Sequence, residues 1–290
     1  MSYARHQTFH IRSGWLAKAL EELNKDCRLF SKKDALIRLG IGKNMVQSLR
    51  FWVEAVGLFE QKPISELNGK QGMALTRFGN IVKKYDPYFE LDITWWIIHY
   101  NIVKDENLAT SWYYLFNIYP RNEFDQFNFI DKISTYTDNA VNKSSYKKDF
   151  DCIISTYVKD NTVLDVPEDN IVCPLTELDL IKSKGNIYCK TSPGRQIPLE
   201  VLFLVMKEAS SGNIFINISN LENDVCNIGK VFNLSLDKIY FYLDLMQENG
   251  WLRFSKTAGI DSVVLSDIDA WQLITNIYKT INKGAAVNEA

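Results

Sequence analysis

Residues 43–56 carry the most constraining pattern in the chain. At 100° per residue, Met45, Val46, Leu49, Trp52, Val53 and Val56 fall within about 120° of arc, one apolar stripe on a helix. Asn44, Gln47, Phe51 and Glu54 lie opposite, flanked by Lys43, Ser48 and Arg50. An earlier helix over 14–23 places Trp15, Leu16, Ala19, Leu20 and Leu23 on one side at i, i+3, i+4 spacing. Between the two, a short helix over 32–38 opens on Ser31 as N-cap, with Asp34 three residues on. It stops at Leu39-Gly40-Ile41-Gly42, a glycine-bearing turn of the helix-turn-helix kind. After Gly57, residues 58–62 and 73–76 read as strands around a loop bearing Asn68, Gly69 and Gly72, and Thr76 caps a helix to Tyr85. Three helices followed by a hairpin spell a winged helix.

The plan recurs at the other end. Residues 199–207 form a helix, 213–218 an alternating strand, 221–231 and 236–249 two more helices, and 250–254 and 262–265 a second wing around Thr257-Ala258-Gly259. Leu236, Ile239, Tyr242, Leu243 and Met246 make the buried stripe of its last helix, with Asp237, Phe241, Asp244 and Glu248 outward. Between the two modules the chain is aromatic-rich and helical to about residue 158. Trp95, Trp96, His99 and Tyr100 share one helix and Trp112, Tyr113, Tyr114 and Phe116 the next, as core or interdomain packing with base stacking as the other reading. Residues 159–198 become irregular at Pro167, Pro174, Pro193 and Pro198, an ordered connector because Ile171, Val172, Leu175, Leu178, Leu180 and Ile181 call for burial. The expectation is a mainly α protein: a basic winged helix over 1–85, a helical middle over 86–197 and an acidic winged helix over 198–290.

Charge separates the two modules. The chain has a formal net charge of −2, yet residues 1–85 hold 15 Lys and Arg against 7 Asp and Glu, and the rest 18 against 28. A surplus of +8 in front of −10 is the distribution expected when one module meets a polyanion. Asn, Gln and Arg have the donor and acceptor geometry to read base edges, so the polar face at 43–54 is the candidate reader. Three carboxylates on the corresponding C-terminal helix repel phosphates and suit a protein contact better. The longest apolar runs, such as 201–206, fall far short of the ~20 residues of a membrane span. His6, His10 and Arg12 interrupt any signal-peptide pattern, and five widely spaced cysteines argue against a disulfide framework. These features place the chain in the cytoplasm.

Chemical motifs are sparse. Gly40-Ile41-Gly42-Lys43 lacks the upstream glycine of a phosphate loop, and Asn44 stands where Ser or Thr would hold magnesium. Cys152, Cys173, Cys189 and Cys226 lack the short paired spacing of zinc ligands. His6 and His10 stand four apart with no third ligand in view. Glu60-Gln61-Lys62 has the Glu-x-Lys spacing of restriction-type nucleases but falls on a wing strand, and Glu123-Phe124-Asp125 is a loop-type acidic pair. No catalytic residue is identifiable from these.

The run Arg5-His6, Thr8-Phe9, Arg12, Gly14-Trp15-Leu16 and Lys18 resembles the opening of a bacterial domain-of-unknown-function family. So do Leu39-Gly40, Gly42-Lys43-Asn44-Met45-Val46, Ser48-Leu49-Arg50, Trp52, Leu75-Thr76 and Phe78-Gly79, with Cys173-Pro174-Leu175 and Leu180-Ile181 further on. Family members are encoded beside cysteine desulfurases, phosphoadenosine-phosphosulfate-reductase-like ATP pyrophosphatases and ATPases of DNA phosphorothioate modification and defence systems. The resemblance implies a role on double-stranded DNA, a nicking endonuclease assisted by Mg²⁺ or Mn²⁺, with those sulfur-transfer and ATPase proteins as partners. A non-catalytic adaptor that recruits the same partners is the alternative. Lys43, Asn44, Ser48 and Arg50 match on the reading helix, with Gln47 beside them. Arg5, His6, Arg12 and Lys18 match the N-terminal motif, where they contact backbone phosphates or brace the first helix.

Overall fold

The computed structural model describes residues 1–159, 172–257 and 260–288, so Pro167, Ile171, Ala258 and Gly259 lie outside the described residues. Helices predominate. The N-terminal block runs α1 (Trp15–Lys25), α2 (Ala35–Leu39), α3 (Lys43–Ala55), an antiparallel pair β1 (Phe59–Pro63) and β2 (Gln71–Leu75), and α4 (Arg77–Tyr85). The stripe foreseen on α1 is buried in full. The short helix starts later than its sequence indicates: Ser31 closes a 3-10 turn at Leu29–Ser31, and α2 begins after Asp34 with no side-chain cap. Thr76 caps α4, its Oγ1 accepting from Gly79 N at 2.9 Å.

Gly79 also explains why a helix can lie across the hairpin. A Cβ at that position would run into the backbone carbonyl oxygen of Leu58, so α4 and the start of β1 approach backbone to backbone. Gly79→Ala is expected to lower stability by about 1–3 kcal/mol, the usual cost of overpacking. A urea midpoint indistinguishable from wild type would show that α4 can move aside.

The middle holds α5 (Asp92–Lys104), α6 (Thr110–Tyr113) running into a π-helical turn at Tyr114–Ile118, β3 (Glu123–Phe124), α7 (Gln126–Tyr136) and α8 (Lys143–Tyr157). The stretch read as irregular contains a hairpin, β4 (Ile181–Lys184) and β5 (Ile187–Lys190), and β3 adds to β5 to give the order β3-β5-β4. Leu175, Leu178, Leu180 and Ile181 are buried as expected, whereas Val172 is half exposed.

The C-terminal block runs α9 (Leu199–Ala209), β6 (Phe215–Asn217), α10 (Ile218–Asn223), α11 (Ile228–Val231), α12 (Leu236–Glu248), β7 (Leu252–Thr257), β8 (Ile260–Leu265) and α13 (Ala270–Asn288). Its sheet order is β6-β8-β7, all antiparallel. The helix foreseen over 221–231 is two pieces, broken where Cys226 takes φ 59° and donates its N–H to Asn117 Oδ1 at 2.6 Å. Leu236, assigned to the buried stripe, is exposed in the first turn of α12, while Ile239, Tyr242, Leu243 and Met246 are buried.

One hydrophobic cluster runs through all three blocks, from Ile11 to Tyr278. His99, fully buried on α5, is a polar tie within it. Its Nε2 lies 2.7 Å from Val231 O on α11 and its Nδ1 2.8 Å from the Tyr157 hydroxyl on α8. The carbonyl only accepts, so Nε2 carries the proton and Nδ1 accepts from Tyr157. The last helix returns to the first block: Arg77 pairs with Asp269 at 2.7 Å, Trp271 lies beside Phe78, and Asn282 donates to Tyr85 O at 2.9 Å.

Candidate nucleic-acid interface

On α3 the polar stripe emerges at Lys43, Asn44 and Gln47, all exposed, and continues to half-exposed Arg50. Gly42 caps the helix without a side chain, and the unsatisfied N–H groups of a first turn favour anions. Arg50 sits 3.8 Å from Glu54 and donates to Gln61 Oε1 at 3.4 Å. A shallow depression beside it joins Arg28, Ser31, Gln61 and Gln71 from the preceding turn and the hairpin. Those four polar residues extend the surface and escape a sequence-based reading, because they belong to three separate segments.

Much of the basic surplus of this block survives internal pairing. Lys25, Lys32, Arg38 and Lys62 are engaged by Glu21, Glu22, Asp26 and Glu60. Among the described residues, Lys18, Lys33, Lys43, Lys70 and Lys83 have no ion-pair partner and are exposed. Lys18 reaches the turn before α3, with its Nζ 3.4 Å from where a Cβ on Gly40 would stand.

Three placements differ from the sequence expectation. Ser48 and Phe51 are buried, at 0% and 2% exposed, although the wheel puts both on or beside the polar face. The chain preceding α1 covers them: the Phe9 carbonyl accepts from Ser48 Oγ at 3.3 Å and from Trp52 Nε1 at 2.9 Å, and Arg5 lies over the Phe51 ring. His6 is also buried, so neither it nor Ser48 is placed to touch a ligand. The His6 Nδ1 accepts from Thr8 N, which leaves Nε2 to donate to Asp149 Oδ1 on α8 at 2.8 Å. Asp149 takes two further bonds, from Ala4 N at 2.7 Å and Ser111 Oγ at 2.6 Å. This knot fastens residues 3–9 between α3 and α8. Arg12 is half-buried, its guanidinium over the Phe9 and Trp15 rings, and Arg5 and Lys18 remain exposed.

Beside Arg5, a cleft of about 550 Å³ lies between α3, β1, α4 and α5, with Glu54, Glu60, Lys104 and Asp105 on its walls. Burial raises the Glu54 carboxyl above its ordinary pKa, opposed by Arg5 at 3.9 Å and by Arg50. Its Oε1 is buried without a hydrogen bond. The nuclease-like Glu60 is held by Lys62 at 2.8 Å, Glu123 lies in a sheet, and Asp125 caps α7. Among the described residues no group of three or more His, Cys, Asp or Glu is arranged to hold a metal ion. Cys152, Cys173 and Cys189 are buried, and burial pushes the Cys173 thiol up to about 12.

On α12, Asp237, Phe241, Asp244 and Glu248 are all exposed, an acidic strip with one aromatic at its centre. No helix of the described residues is long and apolar enough to cross a membrane.

A family model described as "Protein of unknown function (DUF4007)" matches residues 3–278. No curated protein matches the chain in sequence. Among solved structures, a magnesium ion-bound SspB crystal structure is 26% identical with a TM-score of 0.85, covering 96% of this chain and 88% of that one. A second SspB crystal structure is 25% identical with a TM-score of 0.82 and the same coverage.

Proposed function

The chain belongs to the DUF4007 family, and on that premise we propose that it is the DNA-contacting component of a bacterial phosphorothioate modification system. The sequence resemblance supports the system, and the likeness to two SspB structures over 96% of the chain agrees with it. The observation that carries DNA contact is the stripe of exposed Lys43, Asn44 and Gln47 with half-exposed Arg50 on α3, framed by unpaired cations. In this reading the block 1–85 is a winged helix whose third helix enters the major groove, and the hairpin β1–β2 is its wing. Asn44, Gln47 and Arg50 address base edges, while Lys43, Lys18, Arg5 and Arg12 hold the backbone. The C-terminal block 198–290 is a second winged helix, and the acidic strip on α12 docks a basic partner, such as the desulfurase, sulfur-transfer protein or ATPase of the same system. The middle block 86–197 joins the two.

The double variant Lys43→Ala, Arg50→Ala is expected to weaken binding to a blunt duplex and to lower the salt slope by about 1, since the phosphate left without Lys43 removes about 0.9 while Arg50 is assigned to base edges. Lys43 is a surface group and Arg5 still faces Glu54 when Arg50 is removed, so the thermal midpoint should fall by no more than a few degrees. Unchanged affinity and slope would take α3 out of the interface.

Nicking by the same chain is the second reading, favoured by the magnesium ion bound in one SspB structure. Among the described residues no group of three or more His, Cys, Asp or Glu is arranged around a metal position, so one or two carboxylates with the DNA phosphates would have to hold the Mg²⁺ or Mn²⁺. Supercoiled plasmid incubated with and without Mg²⁺ decides between the readings. A metal-dependent open-circular product makes the chain an endonuclease, and binding without nicking makes it the adaptor.

A further inference from the structure

We propose that Tyr88 and the groove beneath it form a stacking site for an unpaired nucleotide, a second DNA subsite that extends from the α3 surface. The groove has a volume of about 420 Å³ and is walled by Ala17, Leu20, Pro87 and Tyr88, with Lys18 and Lys83 at its edges. That is the size range of small-ligand pockets, and its apolar walls suit one flat base.

Tyr88 is 76% exposed, and among the described residues its hydroxyl has no partner. It is displayed by a rigid turn. Phe89 N donates to Asp86 O at 3.1 Å with Pro87 in the second position, which fixes φ there. Phe89 takes φ 61°, a left-handed conformation that bulky residues rarely adopt, and it is held there by burial and by Trp95 Nε1 donating to its carbonyl at 3.0 Å. Asp86 closes the turn, accepting from Glu90 N at 2.8 Å, Leu91 N at 3.3 Å and Thr94 Oγ1 at 2.5 Å. A strained turn anchored at its two buried ends, Asp86 and Phe89, that points one aromatic into solvent is the arrangement expected of a binding platform, since such strain concentrates at ligand sites.

Charge settles the class of ligand. Lys18 and Lys83 are exposed cations with no partner among the described residues. The carboxylate on the groove, Glu21, is engaged by Lys25 at 2.6 Å. A flat apolar floor between two free ammonium groups fits a base with its flanking phosphates, and single-strand sites combine these same two elements. Continuity comes from Lys18, which borders both this groove and the turn into α3.

The inference rests on the DNA-contact reading, and the experiment separates the two. A blunt duplex and the same duplex with a five-nucleotide single-stranded overhang carrying 2-aminopurine are titrated with the full chain. The overhang substrate should bind about tenfold tighter, with quenched 2-aminopurine fluorescence, as a base stacked on an aromatic ring requires. Tyr88→Ala should abolish the preference and the quench while leaving blunt-duplex affinity unchanged. Tyr88→Phe should keep both, because the ring and not the hydroxyl does the stacking. Equal binding of the two substrates, or a preference that survives Tyr88→Ala, overturns the inference and leaves the α3 surface standing. Absence of binding to either substrate overturns both.

Discussion

Asp149→Ala is expected to lower stability by about 3–5 kcal/mol, because three donors around one buried carboxylate lose their acceptor together. Asp149 is 1% exposed and accepts from the His6 ring, the Ser111 hydroxyl and the Ala4 amide. Without the carboxylate these buried donors lose their acceptor, and each unsatisfied group costs about 1–3 kcal/mol. Asp149→Asn keeps one acceptor oxygen and should fall between alanine and wild type. The loss should also be local in a revealing way. Residues 3–9 are held against α3 by this knot, so their release exposes Ser48 and Phe51, and amide exchange in that segment should speed up before the rest of the chain responds. An unfolding free energy within about 1 kcal/mol of wild type would reduce the knot to a passive contact.

Acid should act through His99. Complete burial lowers its pKa from 6.5 to about 4, against a smaller opposing effect of the Val231 carbonyl. The unfolded chain takes up a proton below pH 6.5 while the folded one refuses it until about 4. Stability from this residue is therefore full above pH 6.5 and falls through the window down to pH 4, by about 3 kcal/mol at 1.36 kcal/mol per unit. Carboxylates titrate in the same range, so the quantity to measure is the difference in unfolding free energy between wild type and His99→Gln at pH 7, 5.5 and 4. That difference should shrink as pH falls. A constant difference would mean that the imidazole is protonated within the fold.

How much of this was legible from the sequence depended on how far apart the contacting residues stand. The bounds of α3 and α4, the stripe of α1 and the hairpin β1–β2 follow from local periodicity and turn residues, and they appear within a residue or two of expectation. Ser48 and Phe51 could not be placed by a helical wheel, because a wheel does not know that residues 3–9, which have no periodicity of their own, will cross the polar face. The His6–Asp149 contact joins positions 143 apart, and nothing local announces it. Other misses had a usable signal. Lys184-Gly185-Asn186-Ile187 carries a Gly-Asn pair between alternating residues, a two-residue hairpin mark that the surrounding prolines overshadowed. Tyr88 follows a proline at the end of a basic helix, but its exposure depends on the Phe89 conformation, which no sequence pattern encodes.

The return of α13 to α4 has a consequence for how the protein is made. Arg77, Phe78 and Tyr85 meet Asp269, Trp271 and Asn282, and Tyr278 is bonded to Thr94, which itself secures the Asp86 turn. On the ribosome the first block emerges almost two hundred residues ahead of the helix that covers it. Until residues 269–282 have been translated, α4 has a bare apolar side and the turn that presents Tyr88 lacks its brace. A nascent or truncated chain therefore carries an unfinished first block and an unbraced Tyr88 turn, and both are completed only near the end of synthesis.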